Sequence, residues 1–313
     1  MLRWRLLLGT LFIAALVAWC WFDFHARQPG VYLLPLAVVG ALLAAGELLG
    51  LFRVSASHDG RVDSQSLPLD SSVYAGILLI VLISAVPMAA PTFVSTATGW
   101  LGWTTLGVFL GLLLSLAVEM WRYTTPGHST FRLVRSFFAM SYAGGLMAML
   151  VQLRLLGGPP WGDDGRWGML ALVTTIAVVK ANDTGAYTAG RLFGMHKMTP
   201  MLSPGKTWEG AAGGLVGSLI AALLCLGPLA GQLGCVSDRA WTPWLLGCTV
   251  FAIVVGIAGM LGDLSISLLK RDAQVKDSST WMPGFGGVLD LLDSILLAAP
   301  VSYFLWVTGV IGP

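Results

Sequence analysis

The chain has 313 residues, of which 56% are hydrophobic and only 11% are charged, and its formal net charge is +2. A soluble globular protein has about 25% charged residues, so this composition and the mean hydropathy of +0.78 exclude the ordinary soluble classes. We predict a polytopic all-α integral membrane protein that contacts the lipid bilayer, and we expect no nucleic-acid partner.

Apolar runs of about 20 residues, long enough to cross a hydrocarbon core of ~30 Å as a helix, recur along the whole chain. We count nine and predict about nine transmembrane helices. Arg3 and Arg5 precede the first run as in a signal peptide, but no convincing cleavage site precedes Asp23, so we expect this run to be retained. The predicted spans are 6–23, 31–52, 73–94, 99–121, 132–155, 168–183, 210–232, 241–268 and 287–311.

The distribution of basic residues predicts the orientation of these spans. If the N-terminus is cytoplasmic, 14 of the 18 Lys and Arg residues lie on the cytoplasmic side and four on the other side. This asymmetry is the positive-inside pattern. We therefore expect a cytoplasmic N-terminus and an external C-terminus. Because no mitochondrial-type presequence is present, we expect the inner (plasma) membrane of a bacterium.

The two halves of the chain differ in chemistry. Residues 1–155 hold about five spans and no reactive constellation. Glu47 and Glu119 lie within or near these spans, where we favour a packing role over a role in a transport pathway. Residues 156–313 hold about four spans, and their polar residues gather at span ends on the cytoplasmic side. We therefore predict that the second half is the catalytic region.

The first predicted cytoplasmic loop, 183–210, carries a candidate phosphate-binding segment. Asp183 closes the sixth span, and Ser203-Pro204-Gly205-Lys206-Thr207 stands just before the seventh. Lys206 supplies a compact cation and Thr207 a hydroxyl, next to the free amides of a helix N-terminus. Together these groups would cradle a phosphate.

A complete P-loop is excluded at this segment. It requires a glycine where Pro200 stands, and no strand pattern precedes the segment. The alternative interpretation is an N-cap and turn that begin a membrane helix, with Glu209 in the first helical turn. The motif taken alone does not decide between the two interpretations.

The second predicted cytoplasmic loop, 267–290, concentrates charge between two apolar runs. Residues at intervals of four, seven and eight share one face of a helix, so the eighth span presents a polar face at its cytoplasmic end. The residues of this face are Asp263, Ser267, Lys270 and Arg271, and the charges of Lys276 and Asp277 follow them.

Carboxylates also open the ninth span. The segment 283–287, PGFGG, predicts a tight turn, after which Asp290 and Asp293 occupy positions i and i+3 of the helix. Two helix ends thus offer carboxylates to a common point flanked by cations. Magnesium prefers oxygen ligands that it shares with phosphates, so we predict a metal–nucleotide–phosphate site at the membrane surface. The alternative is a belt of charged side chains that reach the membrane surface and only fix the depth of the helices. Such a belt does not explain why Asp263 and Asp290 lie next to the apolar parts of the spans.

These motifs resemble a known family. Residues 263–293, DLSISLLKRDAQVKDSSTWMPGFGGVLDLLD, resemble the C-terminal signature of phosphatidate cytidylyltransferases, also called CDP-diacylglycerol synthases. Residues 183–210 resemble the family's other characteristic segment. The resemblance implies a multi-span helical architecture and the reaction CTP + phosphatidate → CDP-diacylglycerol + pyrophosphate, with Mg²⁺ and scope for a second cation.

The resemblance also implies roles for single residues. Asp263 and Asp290 match the metal-binding aspartates of the family. The expected catalytic residues are Asp263, Lys270, Arg271, Lys276, Asp277 and Asp290, and the expected substrate-binding residues are Asp183, Ser203, Lys206, Thr207, Ser267 and Asp293.

Two positions depart from the usual family pattern, since Phe285 stands where histidine is usual and Leu291 where arginine is usual. Each replacement removes a side chain that could donate a hydrogen bond to a phosphate. Because the aspartates and lysines remain, we expect a divergent, active enzyme. Two alternatives stay open: a membrane transferase that uses another lipid phosphate acceptor, and a non-catalytic lipid-handling or transport protein. The many Gly and Ala residues in the spans leave a homodimer open.

Overall fold

The structure is a computed structural model that describes residues 2–58, 66–89, 99–124, 126–162, 164–235, 237–279 and 286–313. In these ranges the chain is helical apart from its loops and one two-stranded sheet. The helices are α1 (Leu2–Phe24), α2 (Leu33–His58), α3 (Asp70–Ser84), α4 (Val86–Ala89), α5 (Gly99–Trp121), α6 (Ser129–Ala139), α7 (Leu146–Arg154), α8 (Arg166–Phe193), α9 (Trp208–Leu224), α10 (Ala230–Gln232), α11 (Trp241–Asp272) and α12 (Val288–Val307). The strands are β1 (Lys197–Thr199) and β2 (Ser203–Thr207).

Two helical segments continue through a π-helical turn. Met140–Gly145 joins α6 to α7, and Cys225–Leu229 joins α9 to α10. Six continuous helical segments of the described chain are long and apolar enough to cross a membrane: Leu33–Ser57, Leu101–Trp121, Ser129–Arg154, Trp208–Gln232, Trp241–Asp272 and Val288–Val307. Two shorter apolar helices are Gly9–Phe24 and Asp70–Ser84. The prediction of a helical, multi-pass membrane protein is therefore confirmed.

The sheet is a departure from the all-α prediction. Strands β1 and β2 pair antiparallel, with Lys197 opposite Thr207 and Thr199 opposite Ser203. The segment Ser203–Thr207 thus forms a strand that leads directly into α9. Proline, glycine and lysine are poor strand formers and the segment does not alternate in polarity, so its sequence carries no strand signal.

Helix α8 is longer than predicted. The sixth span was expected to close at Asp183, but the helix continues ten residues further, to Phe193. Gly185 lies in this continuation, and a Cβ atom there would stand 2.5 Å from the Gly213 carbonyl oxygen of α9. The glycine therefore permits close helix packing and does not end the helix. The connection between α8 and α9 is reduced to the β1–β2 hairpin and its flanks.

The chain forms two compact units. The first unit comprises Met1–Gln152 and Leu269–Leu292, and the second comprises Leu153–Leu268 and Asp293–Pro313. The core of the first unit includes the fully buried Leu48 of α2. Part of the predicted second cytoplasmic loop therefore belongs to the first unit.

Glycines bring the helices of the second unit together. A Cβ on Gly217 of α9 would stand 2.5 Å from the carbonyl oxygen of Ala181 in α8. Likewise, a Cβ on Gly262 of α11 would clash with the backbone of Asp293 in α12. This close approach brings the backbone at Asp263 next to that at Asp293, which sets the geometry of the candidate site in this unit.

Candidate active site

An ion pair between the hairpin and α11 forms the centre of the charged cluster in the second unit. Lys206, near the end of β2, places its Nζ atom 3.0 Å from Oδ2 of Asp263 and 3.4 Å from the carbonyl oxygen of Met260. The two side chains are 22% and 38% exposed. Because they are only partly covered, a ligand that carries charge can reach both groups.

Two further carboxylates and a second lysine complete this cluster. On α8, Nζ of Lys180 donates to Oδ2 of Asp183 at 3.2 Å. Asp263 interacts electrostatically with both Asp183 and Asp293, and Lys180 interacts with Asp293. Asp293 itself is buried. Helices α8, α11 and α12 thus contribute one acid each to a cluster that holds two lysines.

The predicted helical face of α11 is confirmed for its first two residues. The hydroxyl of Ser267 donates to Oδ1 of Asp263, one helical turn away, at 3.4 Å. The alternative interpretation of the β2 segment is confirmed as well, since Oγ1 of Thr207 caps α9 by accepting from the Gly210 amide at 3.1 Å. Ser203 lies in β2, half-buried, opposite Thr199.

A second cluster lies in the first unit. Asp290, in the first turn of α12, accepts a hydrogen bond from Nζ of Lys270 at 2.6 Å, and each of these side chains is 11% exposed. The amide and hydroxyl of Ser278 both donate to Oδ2 of Asp290 at 2.9 Å. Asp290 and Lys270, both predicted site residues, therefore form a largely covered ion pair.

Three residues of these clusters were not predicted as site residues: Lys180, Ser278 and Glu47. Glu47 of α2 accepts from the Ser278 hydroxyl at 2.8 Å and from two backbone amides at the start of α12. The i, i+3 spacing of Lys180 and Asp183 was a usable signal for an ion pair on α8. No local signal pointed to Glu47, because it is separated by 231 residues from Ser278.

The other predicted site residues lie on the surface or outside the described part of the chain. Arg271, Lys276 and Asp277 are exposed, and Arg271 donates to the carbonyl oxygen of Val275 at 3.1 Å. The first three residues of the predicted turn 283–287, including Phe285, are outside the described residues. Leu291 is half-buried in α12.

The donor set is suited to a metal that is shared with a substrate. In the described ranges, no group of three or more His, Cys, Asp or Glu side chains is arranged to hold a metal ion alone. Magnesium usually takes only one or two protein carboxylates and completes its shell with water and phosphate oxygens. The partly exposed carboxylate of Asp263 fits that requirement. Asp263 belongs to the second unit and Asp290 to the first, so their common metal site stays a prediction.

Comparison with known proteins identifies relatives of this chain. The phosphatidate cytidylyltransferase of Haemophilus influenzae is 39% identical over 173 residues, which are 55% of this chain and 57% of that protein. The uncharacterized protein YnbB of Escherichia coli is 34% identical over 171 residues, 55% of this chain and 50% of that protein. The phosphatidate cytidylyltransferase of Mycobacterium leprae is 43% identical over 140 residues, 45% of this chain and 40% of that protein.

The chain spans about half the length of these curated relatives. A family model described as the cytidylyltransferase family matches residues 4–308, which is nearly the whole chain. The resemblance seen in the two polar segments therefore extends through the membrane helices. The chain belongs to the cytidylyltransferase family.

Proposed function

We propose that this protein is a nucleotidyltransferase that converts CTP and phosphatidate to CDP-diacylglycerol and pyrophosphate. The observation that carries the proposal is the partly exposed pair of Lys206 and Asp263, which joins the two segments that resemble the family. The names of the relatives from Haemophilus influenzae and Mycobacterium leprae support the same reaction. The product would enter phospholipid biosynthesis.

The chemistry needs no covalent enzyme intermediate. The phosphate of phosphatidate is already an anionic nucleophile at neutral pH, and one of its oxygens attacks the α-phosphorus of CTP. The bond from that phosphorus to the bridging oxygen breaks, and the electron pair leaves with pyrophosphate. Catalysis then consists of alignment and charge neutralisation, for which Lys206 and Lys180 offer ammonium donors to phosphate oxygens.

Magnesium is the proposed cofactor, with Asp263 and Asp290 as its protein ligands and scope for a second cation. When bound, it supplies positive charge that stabilises the departing pyrophosphate. We propose Lys270, Arg271, Lys276 and Asp277 as further members of the catalytic set. The substrate-binding set is Asp183, Ser203, Lys206, Thr207, Ser267 and Asp293.

The proposed topology has nine spans with a cytoplasmic N-terminus in the inner (plasma) membrane, and the site faces the cytoplasm. Residues 156–313 form the catalytic region in this proposal, with cytoplasmic segments at 183–210 and 267–290. The bias of Lys and Arg toward one side supports this orientation. Association through Gly and Ala faces of the spans would give a homodimer.

Release of pyrophosphate from labelled CTP by the purified, detergent-solubilised protein tests the reaction. We expect release that requires both phosphatidate and magnesium, and that falls by about a hundredfold in Asp263→Asn. Asp164→Asn is the matched control, because Asp164 lies in an exposed surface pair with Arg166. Wild-type protein that binds CTP but releases no pyrophosphate with any lipid phosphate would contradict the proposal.

A related transferase with another lipid phosphate acceptor is the second candidate function. Phe285 and Leu291 favour it, because they replace two donors usual in the family. Competition between phosphatidate and other lipid phosphates in the same assay separates the two functions, since the better acceptor suppresses the product of the other.

A further inference from the structure

Glu47 connects the N-terminal helices to the signature segment of the first unit. It lies in the middle of α2, and its two carboxylate oxygens accept from the backbone amides of Val288 and Leu289, both at 2.9 Å. These amides belong to the first turn of α12, where backbone N–H groups have no partner within the helix. A carboxylate at this end of a helix also interacts favourably with the helix dipole. Glu47 therefore caps α12 from a distant part of the sequence.

Two consecutive glycines make room for two carboxylates. A Cβ on Gly287 would clash with the carboxylate of Glu47, and a Cβ on Gly286 would clash with that of Asp290. Gly286 also has a φ of +81°, which favours glycine. Steric constraints thus explain the two consecutive glycines of the signature segment. The missing side chain of Gly286 leaves space for the carboxylate of Asp290, the proposed metal ligand, and that of Gly287 leaves space for the carboxylate of Glu47.

Ser278 links the same two carboxylates. Its hydroxyl oxygen lies 2.8 Å from Oε2 of Glu47 and 2.9 Å from Oδ2 of Asp290. A hydroxyl has one proton to donate, so the two carboxylates share a single donor. Lys270, at 2.6 Å from Oδ1 of Asp290, holds the other oxygen. The position of Asp290 therefore depends on Lys270 directly and on Glu47 through Ser278 and the backbone of α12.

We propose that Glu47 is a positioning residue for Asp290 in the transferase reaction. The inference rests on the proposed function and adds a residue of the N-terminal half to a site predicted only from the C-terminal half. Glu47 acts by holding the first turn of α12 and the Ser278 hydroxyl, which together orient the Asp290 carboxylate. Groups that orient a metal ligand typically contribute about 10–100-fold to activity.

Glu47→Gln is the test, because it preserves size but replaces one acceptor oxygen with a donor. We expect kcat for pyrophosphate release to fall by about 10–100-fold while KM for CTP changes by less than about threefold. Amide hydrogen exchange in a peptide covering residues 286–292 should accelerate by about tenfold, because one amide of α12 loses its acceptor. Ser278→Ala combined with Glu47→Gln should lose less than the sum of the two single effects.

Asp70→Asn is the matched control, since Asp70 is an exposed carboxylate of the same unit and pairs with Arg53 of α2. It should leave both kcat and the exchange of residues 286–292 unchanged. Gly287→Ala provides an independent variant, because its methyl group takes the place of the Glu47 carboxylate and should reproduce the Glu47→Gln phenotype. Faster exchange with wild-type kcat would reduce Glu47 to a structural cap and overturn the inference.

Unchanged exchange at residues 286–292 would also overturn the inference. An inactive wild-type protein would overturn the proposed function, and the positioning role with it. An active wild-type protein with a fully active Glu47→Gln variant would overturn the positioning role alone. The two failures are therefore distinguishable.

Discussion

Two aspartates of the signature segment, residues 263–293, each form an ion pair with one lysine. Asp263 pairs with Lys206 at 3.0 Å, and Asp290 pairs with Lys270 at 2.6 Å. The first pair is partly exposed, whereas the second is 11% exposed on both sides. Removal of one member of a covered pair leaves the other charge without compensation, so the two pairs should respond differently to neutralisation.

Asp290→Asn should lower both activity and stability. The asparagine retains size and one acceptor oxygen but loses the charge that holds Lys270. We expect activity to fall by about a hundredfold or more, because the proposed metal loses a charged ligand. Thermal unfolding in detergent should show a loss of up to about 3–5 kcal/mol, since the Lys270 ammonium remains covered and unpaired.

Lys270→Met in the Asp290→Asn background separates these two effects. It should restore much of the stability, because no unpaired charge remains, but it should not restore activity. Asp238→Asn serves as the control, because Asp238 is an exposed loop residue. Near-normal activity of Asp290→Asn would reject the metal-binding role.

At the scale of elements, glycines determine how α8 and α9 pack. A side chain at Gly185, Gly213 or Gly217 would meet atoms of the neighbouring helix. The backbones can therefore approach closely, as small residues allow in membrane helices. This packing supports the hairpin that carries Lys206, because the hairpin connects these two helices.

Gly217→Ala should destabilise the protein by about 1–3 kcal/mol, because the added methyl group would stand 2.5 Å from the Ala181 carbonyl oxygen and the backbone must shift. Thermal unfolding in detergent measures the change. Gly231→Ala in α10 is the matched control, because a Cβ there has no heavy atom within 4 Å. The control should be neutral or should gain up to about 1 kcal/mol from helix propensity. Equal stability of the two variants would contradict the packing argument.

At the scale of the whole molecule, the distribution of charge along the chain predicts the topology. The net charge is only +2, yet the predicted nine-span arrangement places most basic residues on one side. Within the part of the chain that the structure describes, six helical segments meet the length and hydropathy requirement for crossing a membrane. The remaining spans of the proposal are shorter or more polar, so labelling is the direct test.

Cysteine labelling with a membrane-impermeant maleimide on intact cells tests the nine-span topology. Introduced at the exposed positions Gln28 and Asp238, cysteines should react, because both loops are predicted to be external. Cysteines at Thr124 and Met201 should react only after permeabilisation, because these exposed positions are predicted to be cytoplasmic. The native cysteines Cys20, Cys225, Cys235 and Cys248 are replaced by alanine beforehand. Reaction of the Met201→Cys variant in intact cells would contradict the predicted topology.

Local sequence patterns were sufficient to predict part of the candidate site. The i, i+4 spacing of Asp263 and Ser267 predicted a shared helical face, and the Ser267 hydroxyl does bond to Asp263. An N-cap was one of the two interpretations left open for the segment before the seventh span, and the Thr207 hydroxyl does cap α9. Both features involve residues within about one helical turn. The sequence by itself determined the shared face of Asp263 and Ser267 and the class of a helical membrane protein, and it identified the N-cap as one of two possibilities.

Contacts between distant residues were decided only by the tertiary structure. The sixth span was predicted to close at Asp183, but α8 continues to Phe193, and Gly185 in this continuation lets the backbones of α8 and α9 meet because it has no side chain. Glu47 looked like a packing residue, but it caps α12 across more than 240 residues of chain. No periodicity connects residues so far apart, and the hydrogen-bond partners of the half-buried Glu47 carboxylate are set by which helices the fold brings together.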